Sequence, residues 1–215
     1  MPGKYVIKPY VENGIFHIFN RGGDKHQIFR SLQDYAVYFR YVDEYLLPKE
    51  VSIARINNSG LREEIKMLRI NRISQLANFA NEIQILAYCF MPNHIHFVLK
   101  QSTARAMSSF IKALHVRYVA YFNRKYKLVG PRFQSRFKAK YVATESYILD
   151  VSLYVHRNPA MIVPDIARYP WSSLKFYVSG GGPEWLNSDI VSAVYNKSSF
   201  SGQYKNYAEF VKVEP

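Results

Sequence analysis

The stretch IQILAYCFMPNHIHFVLKQ, residues 83 to 101, constrains the fold more than any other part of the chain. Two runs rich in β-branched and aromatic residues flank Pro92-Asn93, both common turn residues, so the spacing predicts an antiparallel hairpin. Within the second run, alternation sends Ile95, Phe97 and Leu99 into a core and leaves His94, His96 and Val98 on the opposite face. The two imidazoles therefore project together, with Cα atoms about 7 Å apart. Two ligands are too few to hold a metal, so a metal site here needs a third protein ligand from elsewhere. The bland reading is a hairpin carrying two solvated histidines.

Composition narrows the partner. Lys and Arg number 29 against 16 acidic residues, a formal charge of +13, while 48% of the chain is hydrophobic and 16% aromatic. This describes a folded basic protein rather than a basic tail, and the excess charge points to a polyanion such as nucleic acid. The single cysteine, Cys89, rules out an internal disulfide and suits a reducing compartment. No apolar core of signal-peptide length occupies the first fourteen residues, and no window approaches a membrane span. The expectation is no membrane partner and a cytoplasmic, nucleoid-associated location.

Along the chain, residues 14 to 20 read as a strand running into a turn at Arg21-Gly22-Gly23-Asp24. Ser31 caps a helix with Tyr35, Tyr38, Phe39, Val42 and Leu46 on its apolar side, which Pro48 stops. A polar segment over 49 to 60 precedes a second amphipathic helix over 61 to 82, with Leu61, Ile65, Leu68, Leu76 and Phe79 as its stripe. After the hairpin, residues 104 to 126 form a helix with a core stripe of Met107, Ile111, Leu114, Tyr118 and Tyr121, and its basic residues face outward. The segment RFQSRFKAKYVA alternates with period two from Arg132, and Thr144 caps a last helix that Pro159 ends. Without the inserted helix the order is βαββαβ plus an appended helix, an α+β antiparallel sheet of ferredoxin-like type. We expect a unit over 1–162, with an extra helical segment at about 48–82, and a C-terminal extension over 163–215 packed on it.

Two groups of residues supply chemistry. Tyr154 and Asn158 lie four apart on the last helix and so share a face. Tyr147, seven residues earlier, lies on that face too, and spacing alone does not choose between the tyrosines. Zinc fits poorly, with one cysteine and one histidine pair available. On the basic strand, Gln134, Arg136, Lys138 and Lys140 line one face, with Arg132 on the same parity. A solvated edge strand also carries charge, but three cations in a row suit a phosphate chain. Arg117 and Arg124 on one flank of the 104–126 helix, and Arg21 in the first turn, complete the candidate DNA contacts.

AYCFMPNHIHFVLK, GPRFQSRFKAKYV, YILDVSLYVHRNP and YPWSSLKFY, in this order, resemble the single-tyrosine HUH transposases, especially their REP-associated tyrosine transposase branch. The likeness runs from about Phe16 to Trp171, and EWLNSDIVSAVYN with YAEFVK resembles that branch's C-terminal extension. The resemblance implies a ferredoxin-like nuclease that cuts and rejoins hairpin-bearing single-stranded DNA using a divalent metal, Mg²⁺ or Mn²⁺, and one tyrosine. It implies that His94, His96 and Asn158 are the metal ligands and Tyr154 the nucleophile, giving a 5′-phosphotyrosine and a free 3′-hydroxyl. Tyr147 then becomes a packing or DNA-facing residue, and His156 points off the shared face. The 61–82 helix lengthens the segment beyond the family's usual size, leaving its role open between a lid, a DNA-binding arm and a dimer surface. A tyrosine hydroxyl ionises near pH 10, so attack on a phosphodiester needs the assistance that the implied metal supplies.

A different class of reading is a non-catalytic ferredoxin-like nucleic-acid-binding module, which predicts no metal dependence. A rolling-circle initiator shares the histidine pair but calls for a longer chain. A two-histidine phosphoesterase calls for a second His-containing strand motif that is lacking. Whether the protein acts as a monomer or homodimer is not legible in the sequence.

Overall fold

The computed structural model describes residues 11–213. The part of the N-terminal reading that falls on residues 1–10 lies outside them. Four strands, β1 (Ile15–Arg21), β2 (Ile83–Met91), β3 (His94–Gln101) and β4 (Lys138–Val142), form one sheet in the order β2-β3-β1-β4. Each neighbouring pair is antiparallel. With helices α1 (Leu32–Leu46) and α4 (Ala106–Tyr126) connecting the strands, this is the expected ferredoxin-like arrangement.

Strand alternation divides the core in two. Phe16, Ile18, Ile95, Phe97 and Leu99 face α1 and α4, whose Tyr38, Val42, Phe110, Leu114 and Tyr118 are buried against them. Ala87, Cys89, Met91 and Val98 face the other way, toward helix α5 (Glu145–Arg157) and the C-terminal extension. The reading of two solvated histidines fails here: this second face is covered too, and His96 is only 5% exposed.

The extension follows the outer edge of β2. Main-chain bonds from Phe90 to Trp171, from Ser173 to Tyr88 and from Asn187 to Ile85 occupy backbone groups that an edge strand would otherwise leave unpaired. Helices α6 (Leu174–Ser179), α7 (Asp189–Lys197) and α8 (Tyr207–Val213) complete the chain, and Val191, Val194, Tyr207, Phe210 and Val211 join the second core. His156 leaves the face of Tyr154, as expected. It is buried, with Nδ1 2.8 Å from the Tyr207 hydroxyl and Nε2 2.7 Å from Ser173 Oγ, so the extension holds α5 against the sheet through polar bonds as well as packing.

The structure corrects three local expectations. Residues expected as a polar segment form helix α2 (Lys49–Asn57) directly after Pro48. The following helix, α3 (Glu63–Gln75), is shorter than expected, and Leu76 is already extended. Of its expected stripe, Phe79 is core and Leu76 packs against it, but both lie beyond the helix; within the helix Leu68 is 67% exposed and only Ile73 is buried. The basic segment pairs as a strand only from Lys138. Residues 132 to 137 are irregular and held to β1 by the Gly22–Phe133 bridge and the Gln134 N–H donating to the Arg21 carbonyl. Gly22 also lets the turn after β1 fold close against it, since a Cβ there would lie 2.1 Å from the His26 carbonyl oxygen. Among the described residues no helix is long and apolar enough to cross a membrane.

Candidate functional site

Strand register places His96 beside Phe19, and Phe19 beside Lys138, in one row across the sheet. The next row is Val98, His17 and Lys140, while His94 lies opposite Arg21. These side chains share the face that α5 packs on, and a cleft of about 280 Å³ opens there between the sheet and α5, lined by Arg21, His94, His96, Gln134, Lys138 and Tyr154. The turn that starts β3 is fastened from behind: the Pro92 carbonyl accepts the N–H groups of Ile28 and Phe29, and the Asn93 carbonyl accepts that of Gly22.

Helix α5 brings the other two candidates over this cleft. The Thr144 hydroxyl oxygen accepts the Tyr147 N–H and sets the helix start. At the other end of the helix, Asn158 Oδ1 lies 3.0 Å from His94 Nε2, while Asn158 Nδ2 donates to the Tyr154 carbonyl at 2.8 Å. The Tyr154 ring is 55% exposed and stands edge-on to His96, with centroids 5.5 Å apart and planes at 84°. His94, His96, Tyr154 and Asn158 thus meet within one chain.

The hydrogen-bond chemistry around His94 is short of one hydrogen. Its Nδ1 lies 2.6 Å from Asn93 Oδ1 and its Nε2 faces Asn158 Oδ1. Both amides are oriented by their nitrogens, Asn93 Nδ2 donating to the Lys25 carbonyl and Asn158 Nδ2 to that of Tyr154. Burial, with Arg21 nearby, lowers the His94 pKa despite the bond to Asn158, and a neutral imidazole has a single N–H to give to two oxygens. Only one of the two contacts can then be a hydrogen bond, and the other nitrogen keeps a lone pair facing an amide oxygen. A divalent ion would be held here by lone pairs of His94, His96 and the Asn158 oxygen, in place of the contact that lacks a hydrogen. His96 is held neutral by burial and by the neighbouring His17, His94 and Arg21. The donor set therefore fits a divalent ion. Among the described residues no group of three or more His, Cys, Asp or Glu side chains could hold a metal ion, and the oxygen nearest the His94 Nε2 is that of the Asn158 amide.

Some side chains important to this geometry carried no sequence signal. His17 on β1 stacks on His96 with centroids 5.2 Å apart, and burial together with Lys140 lowers its pKa to about 4. Asn20 is buried, and its Nδ2 donates to the Ser135 carbonyl, tying the 132–137 segment to the cleft. The alternation of a strand with charged neighbours hides both from a one-dimensional reading.

The expected DNA contacts divide. Arg21 and Lys138 line the histidine cleft, and Lys140 lines a second cleft with His17, Tyr147, Asp150 and Tyr154. Arg132 and Arg136 do not share the strand face expected for them. They line a groove against α4 with Lys112, and Arg132 also donates to the Val129 carbonyl. Arg117 does not face outward as expected: its guanidinium pairs with Glu44 and lies 3.8 Å from the Tyr41 ring centre, within the α1–α4 contact. Arg124 is exposed but sits on α4, across the sheet from His96.

No curated protein matches the chain. A solved REP-associated tyrosine transposase bound to a REP hairpin resembles it with a TM-score of 0.47 and 13% identity, over 83% of this chain and 88% of that one. The family described as "Transposase IS200 like" matches residues 51–158, which include the hairpin, β4 and α5 through Asn158. Half of the chain carries that match, and the protein belongs to the IS200-like transposases, enzymes that cut DNA.

Proposed function

We propose that this chain cleaves and rejoins hairpin-bearing single-stranded DNA, as a REP-associated tyrosine transposase, with Tyr154 as nucleophile and His94, His96 and Asn158 as ligands of Mg²⁺ or Mn²⁺. The observation that carries this reading is the meeting of Asn158 and His94 beside an exposed tyrosine set edge-on to His96. Held by His94, His96 and Asn158, a divalent ion would supply Lewis-acid charge to the scissile phosphate beside Tyr154. The Tyr154 oxygen forms the new bond to phosphorus, the DNA 3′-oxygen leaves with a proton, and the 5′-phosphate stays on the tyrosine. The reverse attack by another 3′-hydroxyl rejoins strands without a nucleotide cofactor, because the phosphotyrosine keeps the energy of the diester. Imidazole is softer than magnesium prefers, so manganese binds more tightly while abundant magnesium serves in the cell. Residues 1–162 form the catalytic unit in this reading, 163–215 its extension, and the protein works in the cytoplasm on the nucleoid.

Incubation with hairpin-bearing single-stranded DNA and Mn²⁺ is expected to give a denaturant-stable protein–DNA adduct that EDTA prevents. Binding without an adduct under every metal condition favours a non-catalytic binding module instead. Full cleavage in EDTA removes the metal from the reading.

Lys138 and Lys140 flank Tyr154 in the two clefts and are the cations best placed for phosphates on either side of the cut. Replacing either by alanine is expected to reduce the slope of log K against log salt by roughly 0.7, equally for all sequences. Arg117→Ala is expected to leave the slope unchanged, because its charge is already paired. Titrations of labelled single strands at several salt concentrations measure this. Wild-type slopes in both lysine variants would move the DNA path to the groove of Arg132 and Arg136.

A further inference from the structure

His17 has no part in the cleavage scheme above, yet it makes the closest polar contact to His96. Strand pairing sets His17 beside Val98 and Phe19 beside His96, so the two histidines are diagonal neighbours on one face of β1 and β3. Their rings stack at 21°, with His17 Nε2 2.9 Å from His96 Nδ1. Both side chains are buried, 6% and 5% exposed. One hydrogen fills such a contact, and which ring owns it decides what His96 can do. If His17 donates, the hydrogen of a neutral His96 must sit on Nε2, and no nitrogen of that ring is left to ligate. If His96 donates from Nδ1, its Nε2 lone pair is available.

We propose that His17 is a positioning residue for His96: its Nε2 accepts the His96 Nδ1–H and so keeps His96 Nε2 open to a divalent cation. This rests on the metal reading of the same site. The partner nitrogen of a ligating histidine commonly has such an acceptor, and losing it costs 10- to 100-fold in metal affinity. An imidazole acceptor in place of a carboxylate also leaves the site without an added negative charge next to the DNA phosphate.

The test uses the full chain and Mn²⁺ calorimetry. His17→Phe keeps a ring against Phe19 and His96 but removes the acceptor, and is expected to weaken Mn²⁺ about 10- to 100-fold. His17→Gln, whose amide oxygen replaces the lost nitrogen, is expected to stay within a few-fold of wild type. Nitrogen-15 spectra of the wild-type protein with Mg²⁺ supply a reading that needs no variant to fold: His96 is expected to carry its hydrogen on Nδ1 and His17 on Nδ1. Wild-type affinity in a folded His17→Phe, or a hydrogen on His17 Nε2 with Mg²⁺ bound, overturns the inference. The control is His96→Ala. If it binds Mn²⁺ as wild type does, the metal reading itself has failed, whereas loss in His96→Ala with no change in His17→Phe removes only the role of His17.

Discussion

Tyr154→Phe is expected to form no covalent adduct with hairpin-bearing single-stranded DNA, a loss of at least about three orders of magnitude in cleavage. Tyr147→Phe is expected to retain the adduct with at most a several-fold lower rate. The two residues share one helix face, so the contrast depends on what each meets. Tyr154 lines both clefts, stands edge-on to His96 and to His17, and has its own carbonyl bonded to the side chain of Asn158. Tyr147 lies two turns earlier and lines only the second cleft, beside Lys140 and Asp150. Removing the Tyr154 oxygen deletes the atom proposed to bond to phosphorus while keeping the ring and its contacts, so DNA affinity should hold near wild type. Adducts are read on a denaturing gel, with binding measured on the same samples. An adduct from Tyr154→Phe, or one lost in Tyr147→Phe while binding is intact, moves the nucleophile.

The central hairpin was legible because period-two alternation and a Pro-Asn turn act over a few residues and agree with each other. Thr144 and Ser31 were legible as caps for the same reason. What escaped depends on neighbours far along the chain. His17 becomes informative only once β1 is known to lie beside β3, since a lone histidine among strand residues carries no distinguishing spacing. The helical wheel placed Arg117 outside, but α1 covers that flank and offers Glu44 and Tyr41 to its guanidinium. Burial in the basic segment alternates only in part, with Phe133, Phe137 and Ala139 buried but Ser135 and Tyr141 exposed. Its backbone joins the ladder only at Lys138, so sequence parity carried Arg136 onto a face it does not occupy. Helix α2 has Ser52 as its only buried residue, and α3 only Ile73, so neither carries the broad apolar stripe by which a helix is recognised.

His94→Ala and His96→Ala are each expected to abolish Mn²⁺ binding in calorimetry and DNA cleavage together, with single-strand affinity within a few-fold of wild type. Binding survives because Arg21, Lys138 and Lys140 remain on the rim whether or not an ion is held. Asn158 supplies the sharper test, since its amide also bonds the Tyr154 carbonyl and so has a structural role. Asn158→Ala removes one neutral oxygen of the three proposed protein ligands and should weaken Mn²⁺ by about 10- to 100-fold, comparable to losing a supporting contact. Asn158→Asp replaces that oxygen by a carboxylate, a harder and charged donor that suits both Mg²⁺ and Mn²⁺. It forfeits the amide N–H to the Tyr154 carbonyl, so helix stability should fall slightly while metal affinity holds or rises. A residue that served only to finish α5 would show no such order, with Asp and Ala affecting metal binding alike. If Asn158→Asp and Asn158→Ala lose Mn²⁺ equally in folded protein, the third ligand is not Asn158, and the short distance to His94 reflects packing alone.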